Sequence, residues 1–205
     1  MRTLITQTLL SSWLYTYNCA EGYEEDAYND FLRALRREPG EQNEAMQKGI
    51  LFENGVYALM RDPKDMSVYP AWRPVSEKIA DMLRGGQTQV RAQRELSIGP
   101  DQYLLYGICD VAKAGHIYDL KFTTKSMTSA ELAGKYLGSP QHPAYLYCLP
   151  EALDFTYLVS DGQELYTEVY ERKNTPNIAE IIDGFRTDLR YRGLDGIYKE
   201  LWQSK

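Results

Sequence analysis

The sequence predicts an α/β fold in which a mixed sheet forms in the second half of the chain and helices cover it. In the first half, apolar residues recur at the three- and four-residue spacing of amphipathic helices. The segments with this spacing are residues 20–37, 42–60 and 74–83. After Gly85-Gly86 the composition changes to β-branched and aromatic runs, which are typical of strands. These runs are residues 88–98, 103–112 and 116–122.

The remaining elements complete the sheet and its cover. Residues 154–160 and 164–171 are predicted to form a hairpin across Asp161-Gly162. The helical candidates are residues 129–136, 143–149 and 178–202. The order of helices, three strands, helix, two strands and helix predicts a central mixed β-sheet flanked by helices, with an N-terminal helical elaboration. With 205 residues, 43% hydrophobic content and no repeat or linker, we expect one domain.

Composition and charge narrow the function classes. The net charge of −6 argues against a protein that coats nucleic acid by bulk electrostatics. The basic residues that do cluster are Arg33, Arg36, Arg37, Arg186, Arg190 and Arg192. The longest apolar runs fall far short of the ~20 residues that span a bilayer, and residues 1–15 lack a signal-peptide pattern. The three cysteines are widely spaced, so we expect reduced thiols and a cytoplasmic protein without a membrane partner.

The most informative segment is an acidic hairpin. Because side chains alternate along a strand, Asp119 and Lys121 share one face. A two-residue turn at Ala114-Gly115 then places Asp110 directly opposite Asp119. Two opposed carboxylates repel each other unless a lysine, a proton or a metal ion lies between them. An ordinary solvent-exposed strand face with two aspartates and a lysine remains the alternative.

Magnesium would suit this hairpin. Mg²⁺ is commonly held by one or two carboxylates, several waters and substrate phosphate oxygens. Lys121, two residues after Asp119, would stand where it can position an attacking water and stabilise charge on a phosphate. The hairpin therefore predicts metal-assisted phosphoryl chemistry.

The chain carries four ordered motifs, namely Gly49 with Glu53, Gly107-x-x-Asp110, Asp119-x-Lys121 and Gln141-x-x-x-Tyr145. In this order they resemble the motifs of the PD-(D/E)XK nuclease superfamily, in its RecB-like and phage exonuclease branch. Gly107-x-x-Asp110 and Asp119-x-Lys121 look like its second and third motifs. Gly49 with Glu53 resembles the helical first motif, and Gln141-x-x-x-Tyr145 resembles the Gln-x-x-x-Tyr motif. The matches span residues 49–147, and residues 8–19 are loosely similar to the N-terminal segment of the branch.

The resemblance implies a restriction-endonuclease-like core and a full set of site residues. Residues 1–87 would be a mainly helical part carrying Glu53, residues 88–171 the sheet core, and residues 172–205 a C-terminal helical region of a single nuclease domain. Mg²⁺ or Mn²⁺ would be bound by Glu53, Asp110, Asp119 and the carbonyl of Leu120. The predicted catalytic residues are Glu53, Asp110, Asp119 and Lys121. Gln141 and Tyr145 would orient the lysine or the DNA strand.

The resemblance also implies a reaction and partners. We expect hydrolysis of DNA phosphodiester bonds with water as nucleophile, leaving a 5′-phosphate, by an exonuclease of recombination and repair or of phage origin. A recombination or single-strand-annealing protein is a possible partner. An iron–sulfur cluster, which some relatives hold, is not expected, because three cysteines cannot supply four thiolate ligands.

Several alternatives stay open at this stage. The chain could be an endonuclease, or a non-catalytic DNA-binding or assembly module on the same fold. RNA or a branched junction could be the substrate.

Overall fold

The computed structural model describes residues 2–40, 42–125 and 128–204, with the backbone alone at residues 129 and 130. Every predicted site residue lies within these ranges. The strands are β1 Arg2–Thr6, β2 Gln87–Ile98, β3 Asp101–Lys113, β4 His116–Phe122, β5 Asp154–Ser160 and β6 Leu165–Glu171.

Within the described ranges these strands form one mixed sheet. The strand order is β1-β3-β4-β5-β6, and β2, which lies off this path, also pairs with β3. The β1/β3 and β4/β5 pairs are parallel, whereas β2/β3, β3/β4 and β5/β6 are antiparallel. The predicted fold class, an α/β fold with a central mixed sheet flanked by helices, is confirmed and is consistent with a restriction-endonuclease-like core.

The helices are α1 Gln7–Asn18, α2 Glu24–Leu35, α3 Glu44–Arg61, α4 Arg73–Leu83, α5 Ser129–Leu132, α6 Gln141–Cys148, α7 Ile178–Tyr191 and α8 Asp195–Leu201. Polar side chains begin several of them by accepting a hydrogen bond from a free backbone N–H of the first turn. Thr6 caps α1 in this way, Asn43 caps α3 and Asn177 caps α7. Short 3-10 turns occupy Pro70–Trp72 and Arg172–Asn174. No helix in the described part of the chain is both long enough and apolar enough to cross a membrane.

Each face of the sheet buries its own apolar cluster. One face packs against α1, α2, α6 and α7, with Phe31, Phe155 and Phe185 fully buried. The other packs against α3 and α4, where Phe52 and Leu158 are buried. The sheet is therefore covered on both sides over most of its area, although most side chains of β2 are exposed.

Three sequence expectations are corrected. Residues 2–6, expected within the mainly helical part, form β1 parallel to β3, because alternate burial along this short segment suits a sheet edge. The predicted helix over residues 178–202 is interrupted, since Gly193 adopts a left-handed φ of 71° between α7 and α8. The predicted helix over residues 129–136 ends at Leu132, close to Gly134 with φ 74°.

The predicted hairpin register is correct. Lys113 pairs with His116, and Ala114 and Gly115 both have positive φ, at 50° and 84°. Two consecutive left-handed residues form the type I′ turn whose twist matches that of antiparallel strands. This turn determines which residues of β3 and β4 face each other.

Candidate active site

The two predicted aspartates lie where β3 and β4 separate. The β3/β4 ladder runs from Lys113 and His116 to Val111 and Tyr118, one residue pair short of the aspartates. Beyond it, Oδ2 of Asp110 accepts a hydrogen bond of 2.7 Å from the backbone N–H of Leu120. A side chain thus replaces the next ladder bond and holds the Asp110 carboxylate against β4.

Asp119 is the most enclosed carboxylate of the site, with 2% of its surface exposed. Its Oδ2 lies 2.7 Å from Nζ of Lys121, whose side chain is 34% exposed. Its Oδ1 accepts a hydrogen bond from the side-chain amide of Gln141, at the first residue of α6. Gln141 therefore holds the aspartate that pairs with the lysine, and its role in a reaction stays a prediction. Lys121 keeps part of its surface in contact with solvent, where a water or a phosphate can approach.

Burial and mutual repulsion work against charge on both aspartates. The pKa of Asp110 is raised, first by burial and then by the negative charges of Asp119 and Glu53. Burial also raises the pKa of Asp119, although the Lys121 ammonium and the Gln141 amide favour its charged form. Without a further cation, the pair retains a proton at a pH where exposed aspartates have lost theirs.

Glu53 approaches the aspartates from α3 on the other face of the sheet. The phenol of Tyr57, one helical turn later, donates to Oε1 of Glu53 at 2.7 Å and lies 3.3 Å from the carbonyl oxygen of Asp110. The side-chain amide of Gln89 donates to the same Oε1 at 3.0 Å and to the Tyr57 hydroxyl at 2.9 Å. The structure therefore brings Glu53 close enough to Asp110 for its negative charge to raise the pKa of Asp110, and the motif predicted that the two residues lie together. A Cβ at Gly49 would meet only the Cβ of Phe122, at 4.0 Å, so this glycine does not provide an unusually close approach.

Gln89 and Tyr57 are site residues that the sequence analysis missed. Gln89 has a left-handed φ of 54° inside β2, in the register position opposite Asp110. Cys109 faces one apolar cluster and Val111 the other, although alternation alone would place both on one face. The alternation therefore breaks at Asp110 and Gln89. Counting back from the Ile98 and Asp101 pair at the Gly99-Pro100 turn would have placed residue 89 opposite residue 110.

Tyr145 packs against β3, the strand that carries Asp110, and has little exposed surface. Only 2% of the residue is exposed, and its hydroxyl donates a hydrogen bond of 2.5 Å to the carbonyl oxygen of Ile108. A Cβ at Gly107 would lie 2.7 Å from Cε1 of the Tyr145 ring. Because Gly107 of the second motif has no side chain, the ring of Tyr145 from the fourth motif fills the space beside it. Tyr145 positions the strand that carries Asp110, whereas the expectation of contact with the substrate remains a prediction.

His142, the residue after Gln141, is fully buried. Its ring stacks on Tyr170 with centroids 4.1 Å apart, and burial lowers its pKa to about 4. Because the imidazole is neutral and enclosed, it has no access to a substrate. The helix that carries it begins at Gln141, and Pro143 is tolerated because it lies in the first turn.

The donor set fits a hard divalent cation that keeps most of its waters. In the described parts of the chain, no group of three or more His, Cys, Asp or Glu side chains is arranged to hold a metal ion by itself. Asp119 nevertheless has a buried Oδ2 that accepts no directional hydrogen bond, only the ion pair with Lys121. Carboxylate oxygens are the ligands that Mg²⁺ prefers, and one or two of them suffice when waters and phosphate oxygens complete the shell.

Comparisons with known proteins place this chain in no family. No family model matches the sequence, and no curated protein is similar to it. A crystal structure of SSO0001 is similar with a TM-score of 0.49 and 14% identity, over 93% of this chain and 77% of that one. LHK-Exo in complex with dAMP is similar with a TM-score of 0.45 and 13% identity, over 96% of this chain and 87% of that one. Rai1 of Scheffersomyces stipitis, in complex with (3′-NADP)+ and calcium ion, has a TM-score of 0.37 and 11% identity, over 95% of this chain and 60% of that one.

Proposed function

We propose that this chain is a metal-dependent nuclease of the PD-(D/E)XK superfamily that hydrolyses phosphodiester bonds of DNA. The observation that carries the proposal is the meeting of four separate sequence motifs where β3 and β4 separate. Asp110, Asp119 and Lys121 lie there on β3 and β4, Glu53 reaches it from α3, and Gln141 reaches it from α6. A solvated strand face would require neither a buried aspartate nor an amide bonded to it.

Each side chain has a role in hydrolysis. Asp110 and Asp119, with the carbonyl of Leu120, would hold Mg²⁺ or Mn²⁺, and Glu53 would complete or orient the shell. The bound ion supplies charge neutralisation at the phosphate and lowers the pKa of a coordinated water. Lys121, held by Asp119 at 2.7 Å, orients the attacking water and stabilises negative charge on the phosphate. Gln141 keeps Asp119 in place, and Tyr145 keeps β3 in place.

The bond changes define the products. A water oxygen forms a bond to phosphorus as the bond from phosphorus to the 3′-oxygen breaks. The water loses a proton, and the departing 3′-oxygen gains one. A 5′-phosphate therefore remains on one fragment. We further propose exonuclease action in recombination and repair or in phage DNA processing, with a recombination or single-strand-annealing protein as a possible partner.

A non-catalytic DNA-binding or assembly module on the same fold is the second candidate. Two observations favour it: the net charge of −6 and the lack, among the described residues, of a ready-made cluster of three metal-binding side chains. In that case the carboxylates would remain partly protonated and would never bind a metal ion.

Degradation of end-labelled linear duplex, single-stranded and closed circular DNA separates these candidates. Reactions would contain Mg²⁺, Mn²⁺ or EDTA, with wild type, Lys121→Ala and Asp119→Asn. We expect metal-dependent loss of linear DNA only, and a decrease of about 100-fold or more in both variants, as when one transition-state donor is removed.

Lys173→Ala is the matched control. Lys173 also pairs with an acidic residue, Glu171 at 2.9 Å, but its side chain is 75% exposed in the turn after β6. Its loss should not change the rate. Cutting of the circle would make the protein an endonuclease, and a wild type that is inactive with both Mg²⁺ and Mn²⁺ would favour the binding module.

A further inference from the structure

An aromatic cavity of about 540 Å³ opens at the end of β4. Tyr69, Trp72 and Phe122 line it, and Phe122 directly follows Lys121 at the end of β4. Because neighbouring residues of a strand point to opposite faces, Phe122 and Lys121 point to opposite faces of the sheet. The cavity and the Lys121 side chain therefore lie on opposite sides of the same strand end. Its volume falls within the ~300–1,000 Å³ of small-molecule sites.

The aromatic rings of this cavity form a connected platform. Ring centroids are 5.0 Å apart between Tyr69 and Trp72, and 4.7 Å apart between Trp72 and Phe122. Phe52, buried beneath them, contacts Phe122 at 5.1 Å. Tyr69 itself is 61% exposed, so part of this aromatic surface is open to a ligand.

Two loops hold the platform in place. A Cβ at Gly162, in the β5/β6 turn, would lie 2.7 Å from Nε1 of Trp72, so the indole packs directly on this turn. The side chain of Gln163 in the same turn donates to the carbonyl oxygen of Ala71 at 2.9 Å. On the other side, Arg73 donates to the carbonyl oxygen of Asp65 at 2.7 Å. The cavity wall is therefore ordered before any ligand arrives.

The polar rim suits a nucleotide better than a purely apolar ligand. Ser67, Thr124 and Asp161 offer hydrogen-bonding groups around the aromatic faces. Backbone hydrogen bonds lower the pKa of Asp161, so it is an anionic acceptor for the amino or imino N–H groups of a base. Lys48 lies at the opening, in an exposed ion pair with Glu44 at 2.7 Å. Such a pair contributes little, so the ammonium can turn to a phosphate instead.

We propose that this cavity holds one unstacked nucleobase of a single-stranded DNA segment whose neighbouring phosphate lies at Lys121. Aromatic faces bind bases by stacking, irrespective of sequence, with ~1–3 kcal/mol per base. A base in the cavity would anchor the strand at a defined distance from the candidate catalytic residues. The inference rests on the proposed function for the position of the strand, but it concerns binding and can be tested without cleavage.

The experiment measures binding of a labelled thymidine oligonucleotide in EDTA by fluorescence anisotropy, together with intrinsic tryptophan fluorescence. Of the three tryptophans, Trp13 and Trp202 are only 8% and 7% exposed, so quenching by a stacked base reports on Trp72. Tyr69→Ala should weaken binding about 5- to 100-fold. Tyr191→Ala, which removes a 90% exposed tyrosine at the end of α7, should bind as wild type does.

A scan with single abasic positions tests the occupant itself. One position should weaken binding to wild type by a similar factor and have no further effect on Tyr69→Ala. Unchanged binding of Tyr69→Ala, or insensitivity to every abasic position, would overturn the proposal. The same pattern with an RNA oligonucleotide but not with DNA would overturn the choice of DNA. Base-dependent binding by a protein that never cleaves would support this inference and contradict the nuclease proposal.

Discussion

At the scale of single residues, the candidate site depends on which groups surround each carboxylate. Asp119 uses one oxygen for Gln141 and the other for Lys121. Glu53 has two donors on one oxygen, Tyr57 and Gln89. Lys121 and Glu53 are therefore both held in defined orientations by neutral or oppositely charged neighbours, which is the arrangement that positioned catalysis requires.

Replacement of Gln89 by glycine should distinguish the role of its side chain from that of its backbone conformation. Glycine adopts the φ of 54° without strain, so we expect the free energy of unfolding to stay within about 1 kcal/mol of wild type. The amide that orients Glu53 is lost, so DNA cleavage should fall by about 10-fold. Urea unfolding and initial cleavage rates measure the two effects.

Gln93→Gly is the matched control for this substitution. Gln93 is exposed on the same strand and pairs with Tyr106 in regular register. Its replacement should lower stability by about 0.5–1 kcal/mol and leave cleavage unchanged. Equal cleavage rates in Gln89→Gly and wild type would remove Gln89 from the site.

At the scale of elements, the contact between α6 and β3 places the Asp110 strand. Tyr145 on α6 fills the space above Gly107, and its hydroxyl bonds to the next carbonyl along β3. Gln141, one helical turn earlier on the same face of α6, reaches Asp119 on β4. One short helix therefore contacts both strands of the acidic hairpin and sets their relative position.

Gly107→Ala should disturb this contact. The added methyl group would meet the Tyr145 ring at 2.7 Å, and overpacking of this kind costs about 1–3 kcal/mol. A second substitution, Tyr145→Leu, removes the ring. We expect the double variant to be less destabilised than the sum of the two single variants, as measured by urea unfolding in a double-mutant cycle. Strict additivity would show that the two residues do not interact.

At the scale of the whole molecule, the arginines near the C-terminus are paired with acidic side chains. Arg186 and Arg190 both pair with Asp101, and Arg192 pairs with Asp188. These arginines are consequently poor candidates for a continuous phosphate-binding surface. Part of the net negative charge is contributed by the carboxylates of the candidate site.

This charge predicts a dependence of global stability on pH and on Mg²⁺. The pKa of Asp110 is raised from 3.8 in the folded state, so the folded protein keeps a proton that the unfolded chain releases, and stability falls as pH rises above that value. Asp110→Asn can still accept from Leu120 but carries no charge. In EDTA at pH 7 its melting temperature should exceed that of wild type, with a difference that grows from pH 5 to pH 7.

Addition of Mg²⁺ should reverse the order of the two melting temperatures, so that wild type unfolds at a higher temperature than Asp110→Asn. An ion that binds only the folded state adds about 2.7 kcal/mol at one hundred times its Kd, so wild type should gain melting temperature and Asp110→Asn should not. Thermal unfolding with and without Mg²⁺ checks this. An equal Mg²⁺ effect in both proteins would place the ion elsewhere, and a destabilised Asp110→Asn in EDTA would contradict the repulsion argument.

The sequence by itself determined the fold class, the acidic hairpin and its register. Those features depend on local rules: apolar spacing selects helix or strand, and the Ala114-Gly115 turn determines which residues of two adjacent strands face each other. The motif residues Glu53, Asp110, Asp119, Lys121, Gln141 and Tyr145 could be selected from the sequence for the same reason, as short patterns on single elements.

Tertiary structure alone decided what these residues contact. The position of Tyr145 against Gly107 and the bond from Gln141 to Asp119 join separate elements. The break in alternation at Gln89 and Asp110 follows neither from apolar spacing nor from the hairpin turn. The strand β1 belongs with them, because a five-residue segment becomes a strand only when β3 offers its edge. No local pattern encodes such contacts, since they depend on how helices pack across a sheet once both have formed.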